Sequence, residues 1–276
     1  MNQPLLSTPL VSVILPTFNV AGKVGASIRS ALEDQLPFID VEVIVMDGKS
    51  TDGTLEVIRE MAKQDERIKL WSEPDKGIYD AMNKGIGLAK GKFLYFLGAG
   101  DKLHPKVLEA FAAQPNLHSL LLLHGNIGSN GINALPGITG QLKTIDLARY
   151  NIPHQGAFYG VDIFKEVGVY NNDYRIYGDH ELNWRCWTNS KIEKRYWDYI
   201  VADFEGGGAS ASLYDPNFKR DWPGHVWRRG GFLPWLSFQI SVRFKPEQLK
   251  FLQKIRALMR RKELVKSSSS REHGNL

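Results

Sequence analysis

The chain has 276 residues, 43% hydrophobic and 24% charged, enough for a sizeable core in one large domain or a domain with an appendage. Its one cysteine, Cys186, excludes an intrachain disulfide, and the longest apolar stretches (residues 117–123 and 232–242) fall short of the ~20 residues needed to cross a bilayer. The net charge of +5 conceals an asymmetry: residues 1–215 hold 21 Lys/Arg and 26 Asp/Glu, residues 216–276 hold 14 and 4. The basic character therefore belongs to the tail.

Residues 1–10 lack a basic start and an apolar run, so no signal peptide is expected. Residues 11–15 form a β-branched apolar run closed by Pro16, the pattern of a buried strand. Residues 21–34 carry Val24, Ile28, Ala31 and Leu32 on one helical face. Residues 41–46 read as a second strand ended by Asp47-Gly48, and Asp52 is placed to cap a helix running to Gln64. A third strand is predicted over 67–71, a helix over 78–89 with Gly91 as its stop, and a fourth strand over 92–97 ended by Gly98-Ala99-Gly100. Beyond Pro105 the pattern loosens. Strands are expected over 120–124, 157–159 and 199–204, helices over 161–167 and 180–187, and a loop or hairpin over 129–144.

Strands alternating with helices in this way predict an α/β fold built on a parallel sheet. Such sheets take ligands at the carboxyl ends of their strands. The polar clusters fall there: Thr17-Phe18-Asn19, Asp47 to Thr54, Glu73 to Lys76, and Asp101.

Asp47, just past a buried strand, suits hydrogen bonds from a nucleobase or ribose; the alternative is a capped turn, the reading favoured for Asp52. Between Ser72 and Gly85, polar and small residues crowd a strand-to-helix junction, with Asp80, Asn83 and Lys84 on neighbouring helical turns. A ligand site and a solvated face both fit that pattern. Asp101, following two glycines, suits a hard divalent cation that keeps positions free for phosphate oxygens. Asp179 and Glu181, at the start of a helix, would by themselves be an acidic N-terminal cap.

Together these motifs resemble the family-2 glycosyltransferases, which have the GT-A fold. Val11-Ser-Val-Ile-Leu-Pro-Thr-Phe-Asn19 looks like the family's opening strand, and residues 42–54 look like its nucleotide-binding turn. Glu73-Pro-Asp-Lys-Gly-Ile-Tyr-Asp-Ala-Met-Asn-Lys-Gly85 is similar to a subgroup from bacterial surface-polysaccharide and colanic-acid-type clusters. The resemblance spans residues 10–210 and implies a Rossmann-like, mostly parallel sheet flanked by helices. It also implies an inverting transfer of a sugar from a nucleotide-diphosphate donor, by family habit UDP, to an acceptor hydroxyl in cell-surface polysaccharide synthesis.

Carried onto this chain, the resemblance places Pro16, Thr17, Asn19, Asp47, Asp75, Lys76 and Asn83 around the nucleotide. Asp101 would hold a divalent cation, Mn2+ or Mg2+, as the last carboxylate of a DxD-type motif, and Asp179 would be the general base. His154, Gln155 and His180 would lie on the acceptor or phosphate side, and Gly206, Gly207 and Ser210 in a lid loop. Members often carry Asp-Asp where this chain has Gly100-Asp101.

The expected organisation is a catalytic domain over 1–215 and a basic, Trp-containing helical extension over 216–276 with a disordered end. A helix over 247–266 would carry Leu249, Leu252, Ile255, Leu258 and Met259 on one face, with basic residues on the rest. That composition suits an anionic membrane surface, with packing on the catalytic domain as the alternative. The implied partners are a nucleotide-sugar donor and a glycan or lipid-linked acceptor, and the implied location is cytoplasmic, peripheral on the inner face of the membrane. The acidic balance of residues 1–215 argues against nucleic acid. Two rival readings stand beside this one: a sugar nucleotidyltransferase, whose early glycine-rich basic loop is missing from residues 17–22, and a non-catalytic nucleotide or sugar binder.

Overall fold

In the computed structural model, which describes residues 8–32, 40–129, 140–206 and 214–243, four apolar strands stand side by side. They are β1 (Val11–Thr17), β2 (Val41–Asp47), β3 (Ile68–Ser72) and β4 (Phe93–Phe96), in the order β3-β2-β1-β4 and all parallel. Every residue of β1 and β2 is buried, because helices cover both faces. Val11, Val13 and Leu15 face α1 (Ala21–Leu32) and α2 (Thr54–Gln64), packing with Val24, Ile28 and Ile58. Ile14 faces the other way, onto Tyr79 and Met82 of α3 (Ile78–Leu88). This two-residue alternation is the pleat of the strand. The chain moves outward from β1 to β2 and β3, then returns to β4 on β1's other side. A crevice therefore opens above the carboxyl ends of these strands.

The second half departs from a parallel sheet. After β5 (Lys102–Leu103) and α4 (Val107–Ala112) come β6 (Leu121–Ser129), α5 (Thr144–Leu147), β7 (Ala157–Gly160), α6 (Ile163–Val167), α7 (Gly178–Trp187) and β8 (Glu193–Phe204). The full order is β3-β2-β1-β4-β7-β6-β8-β5. β7 runs antiparallel to both β4 and β6, β8 is parallel to β6, and β5 is antiparallel to β8. The orientation of β7 matters for the site. Tyr95 pairs with Phe158 and Phe93 with Gly160, so β7 begins where β4 ends. The 3₁₀ turn His154–Gly156, which leads into β7, is thereby delivered to the same rim as the strand ends of the first half.

The expected boundary at residue 215 does not separate two cores. Phe218 and Trp222 of α8 (Pro216–His225) and Val226 of the following π-helical turn (Val226–Gly230) lie in one apolar cluster with Leu182 and Trp184 of α7. Asp215 ties the junction down, accepting N–H bonds from Arg175, Ile176 and, as the cap of α8, Phe218. α9 (Phe232–Arg243) follows. The extension was expected to be helical, but α8 and α9 were not placed individually, although Asp215-Pro216 is a helix-start signal. The helix expected over 247–266 and the end beyond it lie outside the described residues.

Candidate active site

The turns after β1 and β2 are laced together. Asn19 adopts a left-handed conformation (φ 51°), and its side-chain oxygen accepts the Thr51 N–H at 2.9 Å. Its own N–H donates to the Ser50 hydroxyl at 2.9 Å. Asp47 is buried and accepts from the Ser72 hydroxyl (2.8 Å), the Ser50 N–H (3.1 Å) and the Thr17 hydroxyl (3.4 Å). This carboxylate organises the rim, bracing three strand ends at once. Asp52 was expected to cap α2, but the N-cap is Gly53, and Asp52 braces the helix start from one residue earlier. It accepts from the Thr54 N–H and hydroxyl at the start of α2 and from the Ala21 N–H at the start of α1. The Thr54 hydroxyl leads the causes that hold its carboxyl below the ordinary value.

The solvent side of this rim is formed by Phe18, Asn19, Asp75 and Lys76, all at least partly exposed. Asp75 stands over Gly48, where a Cβ would collide with its carboxylate and press on the Phe18 ring. Phe18 is 62% exposed, an unforeseen aromatic face beside a carboxylate. Two expected contacts move. Pro16 is buried inside β1 opposite Met46. Asn83 is a latch: its amide bonds the Tyr170 backbone at both N–H and C=O and donates to Asn172. With those bonds made, Asn83 holds α3 to the second half and is corrected from a nucleotide contact to a structural residue. Glu42, at the opposite end of β2, accepts from the Ser12 hydroxyl and the Lys90 N–H, well away from this rim.

The other wall of the crevice carries two carboxylates joined through one turn. Asp101 is 5% exposed; its Oδ2 accepts from Gln155 Nε2 at 2.7 Å and its Oδ1 from the Glu205 N–H at 3.0 Å. Burial pushes its carboxyl above the ordinary value, against the pull of those two hydrogen bonds. One residue earlier, His154 Nδ1 lies 3.5 Å from Asp179 Oδ2. The buried His154 Nε2 has no hydrogen-bond partner among the described residues, which is the condition of an atom awaiting a ligand. Asp179 and Asp101 are thus linked through two consecutive side chains, His154 and Gln155.

Asp179 is held from three directions. Its Oδ1 accepts the His180 N–H at 2.9 Å and lies 3.3 Å from the Tyr79 hydroxyl, which donates to the Ile176 carbonyl. Gly178 presses on the Tyr79 ring; a Cβ there would meet the ring at 2.7 Å. That close approach explains glycine before the carboxylate. Burial, then the Asp179 charge, pushes the Tyr79 phenol well above its ordinary value, so it remains a neutral donor. His180 is corrected from a ligand contact to a packing residue: its Nε2 bonds the Leu147 carbonyl at 2.7 Å and its ring lies against Trp222.

The corner at Gly98 and Gly100 is where a cation would be held. A Cβ on Gly98 would run into Asp101 Oδ2, and one on Gly100 into Glu205 Oε2. The glycines leave a cradle into which two carboxylates project, and Glu205 stands where the acid missing from position 100 would reach. Lys23 already places an ammonium there, 3.0 Å from Glu205 Oε2. Carboxylate oxygens suit a hard divalent cation, but here both Asp101 oxygens already accept hydrogen bonds and Glu205 is paired with Lys23, so a cation would have to displace those partners. Among the described residues, no group of three or more His, Cys, Asp or Glu gathers to hold a metal by itself. Glu205, Lys23 and Tyr79 were missed in the sequence because each stands alone within an ordinary helix or strand-end pattern. Gly206, in a left-handed conformation (φ 80°), follows Glu205; Gly207 and Ser210 lie outside the described residues.

Comparison with known proteins identifies the family and agrees with the fold. The family profile "Glycosyl transferase family 2" matches residues 12–118. PGL/p-HBAD biosynthesis glycosyltransferases of Mycobacterium tuberculosis and Mycobacterium bovis are 35% identical over 222 residues, covering 79% of this chain and 86% of theirs. Among solved structures, S. aureus TarS 1–349 in complex with UDP-GlcNAc superposes with a TM-score of 0.68 at 18% identity, over 83% of this chain and 71% of that one. The match spans 40% of the longer TarS chain. The mannosyltransferase PcManGT from Pyrobaculum calidifontis, in complex with GDP-Man and Mn2+, superposes with a TM-score of 0.55 at 15% identity, over 91% and 81%. The fold is GT-A, and the chain belongs to glycosyltransferase family 2.

Proposed function

We propose that this glycosyltransferase moves a sugar from a nucleoside-diphosphate donor, UDP in preference to GDP, to an acceptor hydroxyl with inversion at the anomeric carbon. The acceptor class is a glycan or lipid-linked hydroxyl of cell-surface polysaccharide synthesis. The observation that carries the reading is the His154-Gln155 turn, whose two side chains touch Asp179 and Asp101 respectively. One carboxylate is thereby set beside a cation cradle and the other across the same cleft, the separation of roles an in-line displacement needs.

The nucleotide lies along Phe18, Asn19 and Asp75, the exposed part of the rim that Asp47 braces. The diphosphate reaches the Asp101–Glu205 corner, where a bound divalent cation would neutralise charge on the leaving group. Lys23 adds a positive charge beside it, and the unpaired His154 Nε2 donates to or accepts from a ligand oxygen. Asp179 takes the proton from the acceptor hydroxyl as its oxygen attacks the anomeric carbon from the face opposite the diphosphate. The His180 N–H holds the carboxylate on Oδ1, leaving Oδ2 beside His154. The UDP preference is supported by the fold likeness to TarS, which binds UDP-GlcNAc, and opposed by the likeness to PcManGT, which binds GDP-Man. The sugar-nucleotidyltransferase alternative has no comparable support.

Incubation with UDP- and GDP-sugars and Mn2+ tests the reading by release of the nucleoside diphosphate. Turnover that survives in Asp179→Asn, or that needs a nucleoside triphosphate, would overturn it.

A further inference from the structure

After the last acid of α8, Asp221, residues 222–243 contain no carboxylate but hold Arg228, Arg229 and Arg243, all exposed. Among them stand apolar side chains turned to solvent: Trp227 at 51%, Phe232 at 56%, Leu233 at 68% and Val242 at 66% exposure. The segment is not loose. Pro234 is buried, Trp235 and Phe238 pack on the second core cluster, and α9 lies against α5. The Trp227, Phe232 and Trp235 rings touch one another, so the exposed aromatics stand on a fixed base. α9 thus uses one side to hold on to the domain and presents apolar residues on the other, where a solvated helix would carry polar ones.

We infer that this surface, built by the π-helical turn and the outer side of α9, docks the enzyme on an anionic lipid bilayer. The chemistry selects that occupant. Trp and Phe enter the interfacial region, Leu233 and Leu236, on the same side of α9 as Phe232, reach the acyl boundary, and the arginines meet lipid phosphates. A second copy would gather six arginines and no carboxylate from residues 222–243 into one isologous interface. Nucleic acid would have no use for the aliphatic residues. The position also suits an acceptor presented from a membrane. Phe218, at the start of α8, stacks against Tyr177 and His180 beside Asp179, and α8 then runs about 15 Å to the π-helical turn.

The test is co-sedimentation of the full chain with neutral phosphatidylcholine vesicles and with vesicles containing anionic phosphatidylglycerol. Binding to the anionic vesicles is expected, at least tenfold stronger than to neutral ones and weakened by added salt. The pair Leu233→Glu and Phe232→Ser should reduce it at least tenfold, and Arg228→Glu with Arg229→Glu should abolish the anionic preference. Unchanged melting temperature and UDP affinity in these variants would show that the fold and donor site are intact. Lys165→Glu, a charge reversal on α6, is the control and should bind as the parent does. Full vesicle binding by the Leu233/Phe232 variant would overturn the inference, as would equal binding of the parent to both vesicle types. A parent that dimerises through this face without binding vesicles would also overturn it. Sugar transfer to a soluble acceptor is a separate measurement, so failure of lipid binding leaves the proposed reaction standing.

Discussion

The donor half, up to α4, and the half beyond it use polar residues in opposite ways. In the first, Asp47, Asn19, Asp52 and Asp75 sit at strand ends and helix starts, and their bonds run between neighbouring turns. In the second, polar residues are buried within a helix. All ten residues of α7 are buried, including Asp179, His180, Glu181, Asn183 and Arg185. Glu181 and Arg185 pair at 2.9 Å with 5% and 10% of their side chains exposed, and Arg185 also bonds the Val167 and Val169 carbonyls. A rim tolerates loss of one bond because water replaces it. A buried network does not.

That contrast is open to direct attack. Asp179→Asn should lower transfer by about 10²–10⁴-fold while donor affinity, set by the other half, stays within about twofold; parallel kinetics and UDP titration decide. Glu181→Ala should destabilise by about 3–5 kcal/mol in urea unfolding, since it leaves Arg185 buried and unpaired. Asp52→Ala, in the donor half, should cost about 1 kcal/mol. Equal costs for the two would erase the distinction drawn between the halves. Glu205→Gln should weaken Mn2+ binding about tenfold in a calorimetric titration with UDP present, and Asp101→Ala should abolish it.

The pH dependence has a definite sign. Because burial raises the Asp101 carboxyl above the ordinary 3.8, its proton is retained to higher pH in the folded chain. Cation binding needs the ionised form, so it should fade as pH falls through that raised value, before an ordinary aspartate would titrate. The same shift means the folded state loses stability as pH rises from 3.8 through the raised value, a cost that Asp101→Asn removes. At pH 7 that variant should melt no lower than the parent while failing to bind Mn2+. Asn83→Ala should cost about 1 kcal/mol in stability with nucleotide affinity unchanged; a large affinity loss would return Asn83 to the ligand site.

Legibility follows the same division. β1 to β4 and α1 to α3 were readable because apolar strands alternate with one-sided helices, and the carboxyl-end clusters follow from that topology. α7 was readable as a helix over 180–187, but not as one buried on every side. Asp179 stood out only through family resemblance. The antiparallel insertion of β7 had no local signal either: residues 157–159 read as a strand, but nothing in them specifies a direction. Asn83 and His180 show the converse limit, for a polar residue in a functional stretch does not reveal whether its partner is a ligand or the backbone.

The His154-Gln155 turn has a consequence for how such an enzyme diversifies. The span between the cation corner and the proton acceptor is bridged by two consecutive residues, a ruler one peptide unit long. Insertion or deletion at the ruler itself would misalign both partners of the reaction together.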